Sequence, residues 1–181
     1  MCSEYDMTEF ESRRDALIDE ITAAFDGVSR EDGTTLHQAD AIDDRKSPEE
    51  ELAARQLDQE QRWQDVPDKD IEACCQALTF MDEKGFRYYL PAFMIYGLKN
   101  FHDDPYPLHS SIYSLLQESG KSLRKSEPAS IAAKYQLTDA QCKAAAKFLR
   151  FNSDFDDYLK TGATLQAIEK WEKFTGINSN I

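Results

Sequence analysis

Residues 79–101, TFMDEKGFRYYLPAFMIYGLKNF, are the most apolar and aromatic run of an otherwise acidic chain. Pro91 lacks an N–H and has a fixed φ, so it suits the first position of a helix. After it, Ala92, Phe93, Met94, Ile95, Tyr96, Gly97 and Leu98 leave no polar face before Lys99 and Asn100. A helix that is apolar all round must be covered all round. At about ten residues it has half the length of a membrane span, so a membrane role is not expected. The run therefore predicts a central core helix over about 91–101. Gly85 can adopt positive φ and is expected to close the helix before it. GFRYYL is then the one place left for extended structure. Arg87, set between two apolar segments, is expected to be buried against a carboxylate.

The rest of the chain must supply the cover. Phe10, Leu17, Ile18, Ile21, Ala24 and Phe25 recur at helical spacing, which predicts a helix over about 8–26 ended by Gly27. Thr35 and Gln38 make a capping pattern before a short helix at 36–42. Ser47, Pro48 and three glutamates start a mostly polar helix over about 48–63. Ile71, Cys74, Cys75, Leu78 and Met81 predict a helix over about 68–82. Pro105 and Pro107 predict a loop, with a helix from Leu108. Thr138 and Gln141 cap a further helix, and Leu165, Ile168 and Trp171 build a last one closed near Gly176. No stretch alternates like a strand. The expectation is an all-α, single-domain bundle of about seven or eight helices. It would span 8–176, with a loose tail at 1–7 and a mobile loop near 119–130.

Charge narrows the function. The net charge is −13, which argues against binding a nucleic-acid backbone. Residues 1–65 carry −12 and residues 121–181 carry +3. A basic protein is therefore the expected kind of partner. Cys2, Cys74, Cys75 and Cys142 form no CxxC or zinc spacing, so reduced thiols in a cytoplasmic protein are expected. No secretory signal pattern opens the chain.

Laid out this way, the chain resembles an uncharacterised bacterial family, a domain of unknown function, made of small acidic proteins. The resemblance runs through Leu17-Ile18, Ala24-Phe25, Gly33, Leu36-His37, Ala39-Asp40, Asp43-Asp44, Ala54-Arg55, Asp58, Trp63 and Pro67. Its most specific part is Gly-Phe-Arg-x-Tyr-Leu-Pro-Ala, here Gly85 to Ala92, and a looser match reaches Phe148-Leu149 and Trp171. The resemblance implies a bacterial, cytoplasmic setting and transfers no catalytic residues.

One constellation could carry chemistry: His37, Asp40, Asp43, Asp44, Arg55, Asp58, Arg87 and Tyr89. His37 and Asp40 share a helical face at i, i+3. A histidine among carboxylates could hold a divalent metal or exchange protons. The competing expectation is a structural network in which Asp40 or Asp58 neutralises Arg55 and Arg87. No hydrolase, phosphate-loop or metal signature is present, so no cofactor and no metal are expected. The leading expectation is a non-enzymatic protein-binding module, adaptor- or immunity-like, with an acidic N-terminal face. The alternative is a small metal-dependent or acid–base enzyme using His37, Asp40, Asp43 and Asp58.

Overall fold

The computed structural model describes residues 7–103, 105–117 and 122–177. The segment 1–6 and residues 118–121 lie outside this set, so the expected tail except Met7, and 119–121 of the expected 119–130 loop, fall beyond the described residues. Nine α-helices occur among the described residues, and no strand forms there. They are α1 (Met7–Ala24), α2 (Leu36–Asp43), α3 (Pro48–Arg55), α4 (Asp68–Ala73) and α5 (Glu83–Lys99). The remainder are α6 (Pro105–Leu116), α7 (Pro128–Lys134), α8 (Asp139–Phe155) and α9 (Gly162–Thr175). The all-α expectation holds. Packing resolves into two compact units: Met1–Ala24, Leu115–Ala132 and Thr138–Ile181 form the first, and Phe25–Ser114 with Ala133–Leu137 forms the second.

In the first unit α1 packs on α8, and α8 on α9. Phe10 of α1 meets Phe151 and Phe155 of α8 at ring-centroid distances of 5.3 and 5.0 Å. The α8 N-terminus is closed by a reciprocal cap. The Thr138 hydroxyl accepts from the Gln141 N–H at 3.3 Å, and Gln141 Oε1 accepts from the Thr138 N–H at 3.0 Å. Buried Trp171 on α9 donates its indole N–H to the Leu115 carbonyl at 2.8 Å. Gly176 ends α9 with φ +71°, the left-handed conformation that glycine tolerates best.

The second unit is built on α5. Twelve of its residues are buried, from Gly85 to Leu98, so it is the central apolar helix expected from the sequence. It starts earlier than expected, at Glu83, and runs through both Gly85 and Pro91. Asp82, not Pro91, begins it: its carboxylate accepts from the Gly85 N–H at 2.8 Å. An interior proline costs about 3 kcal/mol in intrinsic helix propensity. Burial of the residues on both sides of Pro91 offsets that cost, because breaking the helix would expose them. GFRYYL is thus helical.

Gly85 serves a purpose other than the expected one. Its φ is not positive. A Cβ on Gly33 would lie 2.5 Å from the Gly85 nitrogen, and one on Gly85 would collide with the Thr34 carbonyl oxygen. Two glycines therefore let the 33–34 backbone lie directly on the first turn of α5. Asp82 fastens the contact by also accepting from the Thr34 N–H at 3.1 Å.

Other boundaries differ for local reasons. The expected helix over 68–82 breaks at Cys74, whose φ and ψ are −105° and 40°. A short 3-10 turn, Ala77–Phe80, then buries Ala77 and Leu78. The expected helix over 48–63 stops at Arg55. Beyond it the chain turns so that Asp58 and Trp63 become buried, with the Trp63 indole N–H bonded to the Phe25 carbonyl at 2.9 Å. Pro105 and Pro107 open α6 instead of forming a loop. First-turn N–H groups have no intrahelical acceptor, so proline removes nothing there. None of the described helices is long and apolar enough to cross a membrane.

Candidate functional site

The polar groups of the second unit gather where the segment before α2 and the segment after α3 meet α5. Asp58 is the first anchor. Its side chain is 3% exposed. One oxygen accepts from the backbone N–H of His37 at 3.0 Å, and the other lies 2.7 Å from His37 Nδ1. His37 is the second residue of α2, so its N–H is one of the helix's orphan donors. A carboxylate there also meets the positive end of the helix dipole. Asp58 therefore caps α2 from 21 residues away in sequence. Locally, Gln38 Oε1 accepts from the Thr35 N–H at 3.4 Å, the reach-back of a capping box.

Arg30 is the second anchor. One guanidinium nitrogen donates to Glu60 Oε1 at 2.6 Å and to the Tyr89 hydroxyl at 2.7 Å. The other reaches the Asp58 carbonyl at 3.3 Å. The Tyr89 hydroxyl in turn donates to Glu60 Oε1 at 2.5 Å. The guanidinium carbon sits 5.5 Å from the Tyr88 ring centroid. The Arg30 side chain is 17% exposed and that of Glu60 only 8%. Burial works against the Arg30 charge, yet Tyr89 and Glu60 outweigh it and hold its pKa above the ordinary value. Burial, and then the hydrogen bond to Glu60, raise the Tyr89 hydroxyl well above the usual phenol range. Arg30, Glu60 and Tyr89 form a charge-neutralising triad.

The expected residues separate. His37 and Asp58 pair directly, and Tyr89 belongs to the Arg30 triad. Among the described residues Arg55 forms no ion pair. It donates to the carbonyls of Gly33 at 2.9 Å and Asp32 at 3.1 Å and to Gln38 Oε1 at 2.8 Å. Asp43 and Asp44 are exposed at the end of α2. Arg87 is only half-buried. Its guanidinium donates to the Gln136 carbonyl at 3.3 Å, and no ion pair to it forms among the described residues. The network in which Asp40 or Asp58 neutralises Arg55 and Arg87 is thus replaced by one centred on Arg30. Sequence spacing could not find Arg30 or Glu60, because they lie 59 and 29 residues from Tyr89. The available hint was the Tyr88-Tyr89 pair itself, since buried hydroxyls require partners.

Among the described residues no group of three or more His, Cys, Asp or Glu side chains could hold a metal ion. His37 Nδ1 is engaged by Asp58 at 2.7 Å. Cys74, in the field of Asp40 and Asp58, is buried and its thiol is pushed up to about 12, chiefly by desolvation. It stays protonated and is a poor nucleophile. Cys74, Cys75 and Cys142 are free thiols.

Asp40 offers a pH signature. Half-buried, its carboxyl is held above the usual range by desolvation and then by Asp44 and Asp43. A carboxyl with a raised folded pKa binds its proton more tightly in the folded chain. Its favourable contribution is complete below the ordinary aspartate range and is lost as pH rises through the folded value. Ionised Asp40 thus opposes folding at neutral pH. Asp40→Asn is expected to raise Tm at neutral pH, with the gain shrinking to nothing in acid. A lower Tm at neutral pH would contradict this.

The helical fold and the interlocked polar cluster of the second unit describe a helical protein of a single sequence family. The chain belongs to a family of unknown function, DUF6714, which it matches over residues 13–174. Compared with curated proteins and with solved structures, it matches none.

Proposed function

We propose that this protein is a non-enzymatic binding module whose second unit offers an acidic helix, α3, to a basic protein partner. The supporting observation is α3 itself. None of its residues is buried. Leu52 is 60% exposed, and Leu57, just past the helix end, is 64% exposed. Glu49, Glu50 and Glu51 fill its first turn. An eight-residue helix is unstable alone. This one is held by polar ties: the Ser47–Glu50 capping box, Pro48, and the Arg55 bonds to the 32–33 carbonyls. Its leucines hold no core together, so they are free to meet another chain. A basic, partly apolar surface matches such a face in both charge and hydrophobicity.

The triad and the cap formed by Asp58 give the buried carboxylates Glu60 and Asp58 structural partners. This favours the binding reading over the acid–base enzyme. Affinity capture with the full chain at low and high salt tests it, run in parallel with Leu52→Glu. A basic protein held at low salt, released at high salt and not held by Leu52→Glu is the expected result. If no salt-sensitive basic partner appears, or if Leu52→Glu captures it equally well, the reading fails.

A further inference from the structure

The first unit contains an open pocket of ≈ 240 Å³ between α1 and α8. From α1 come Arg13, Ala16, Leu17 and Glu20, which share one helix face at i, i+3, i+4 and i+7. From α8 come Lys147, Arg150 and Phe151 at the matching spacing. Ile177 completes the lining. Left-handed Gly176 turns the chain back after α9, and the Ile177 N–H bonds the Glu172 carbonyl at 3.0 Å. The lining thus combines an apolar floor with three cations and one carboxylate. Each cation is held by an acid, Arg13 by Asp154, Lys147 by Glu20 and Arg150 by Glu172.

We propose that this cavity binds a small amphipathic monoanion, an aliphatic or aryl carboxylate. Its apolar body would lie against Leu17, Phe151 and Ile177, and its carboxylate would sit between Arg13 and Lys147.

The cations are not equivalent. Arg150 is committed, because its Nε and one terminal nitrogen each hold Glu172 at 2.6 Å, and that carboxylate is 3% exposed. Breaking that pair would strand a buried charge. Arg13 and Lys147 are paired with Asp154 and Glu20 at 2.5 Å, and all four side chains are at least a third exposed. Exposed pairs contribute little, so an incoming carboxylate can replace either acid. The volume equals that of about eight waters, which suits a ligand smaller than the usual drug-sized occupant. Inorganic phosphate would leave the floor unused, and a neutral alcohol would leave the cations unused. This site is built from the first unit and α3 belongs to the second, so its fate and that of the proposed partner face are decided separately.

Titration of the full chain with sodium octanoate, followed by calorimetry, tests the site. Saturable one-site binding is expected, with 1-octanol and inorganic phosphate each about tenfold weaker or worse. Lys147→Gln should weaken octanoate by about tenfold. Ala16→Leu should abolish saturable binding by filling the cavity. Ala16 and Lys147 are exposed, and a thermal melt of each variant confirms that it is folded. The proposal is overturned if folded wild type shows no saturable octanoate binding. It is equally overturned if 1-octanol or phosphate matches octanoate, or if Ala16→Leu binds octanoate as wild type does.

Discussion

Arg30→Ala is expected to destabilise the protein by about 3–5 kcal/mol, the usual cost of removing one partner from a buried ion pair. The loss has a specific origin. Beside Arg30 the Glu60 side chain is only 8% exposed, and without the guanidinium its carboxylate retains the Tyr89 hydroxyl as side-chain donor. The segment before α2 also loses its tie to the Asp58 carbonyl. Arg87→Ala provides the contrast. Arg87 is half-buried and bonds a backbone carbonyl at 3.3 Å, so its removal should cost about 1 kcal/mol or less. Chemical denaturation of both variants orders the two arginines. Equal losses, or a larger one for Arg87, would show that the triad is not what holds these segments to α5.

Gly85→Ala should cost about 3 kcal/mol, at the upper end for overpacking, because the obstacle is backbone. A flexible side chain could move aside, whereas the Thr34 carbonyl is held in place by the adjoining Thr34 N–H bond to Asp82. Gly33→Ala meets the same interface from the other side, against the Gly85 nitrogen and Lys84 Cβ. Gly162→Ala is the control. It opens α9, has no positive φ, and a Cβ there would meet nothing within 4 Å. Alanine is the better helix former, so that change should be neutral or slightly stabilising. Unfolding midpoints for Gly85→Ala and Gly162→Ala that shift alike would refute the close approach between the 33–34 backbone and α5.

The contrast between these glycines also shows why the reading of 79–101 from sequence was only partly right. Its burial was legible, since a run without a polar face has no other stable place. Its boundaries were not. Gly85 and Pro91 are locally helix-breaking residues, and each was read by its local preference. In the folded chain Gly85 admits a neighbouring backbone and Pro91 is buried within a continuous helix. Tertiary packing outweighed an intrinsic cost of a few kcal/mol.

The candidate cluster divides in the same way. His37 and Asp58 do meet, as their selection implied. Asp58 turns out to cap α2, a role that requires α3 and the turn after it to bring the chain back. Arg87 was expected to be buried because it lies between two apolar segments, yet the buried guanidinium belongs to Arg30.

What the sequence determined by itself is what short-range free energies decide. The all-α class, the Ser47 and Thr138 caps, the stop at Gly176 and the acidic balance all follow from residues within one helical turn of each other or from composition. The tertiary structure alone decided which arginine is buried, which acid closes α2, why Gly85 must lack a side chain, and where α1 and α8 leave a cavity. Each of these depends on groups tens of residues apart along the chain. Their energies are large because water is excluded around them, and that exclusion exists only once the helices have packed.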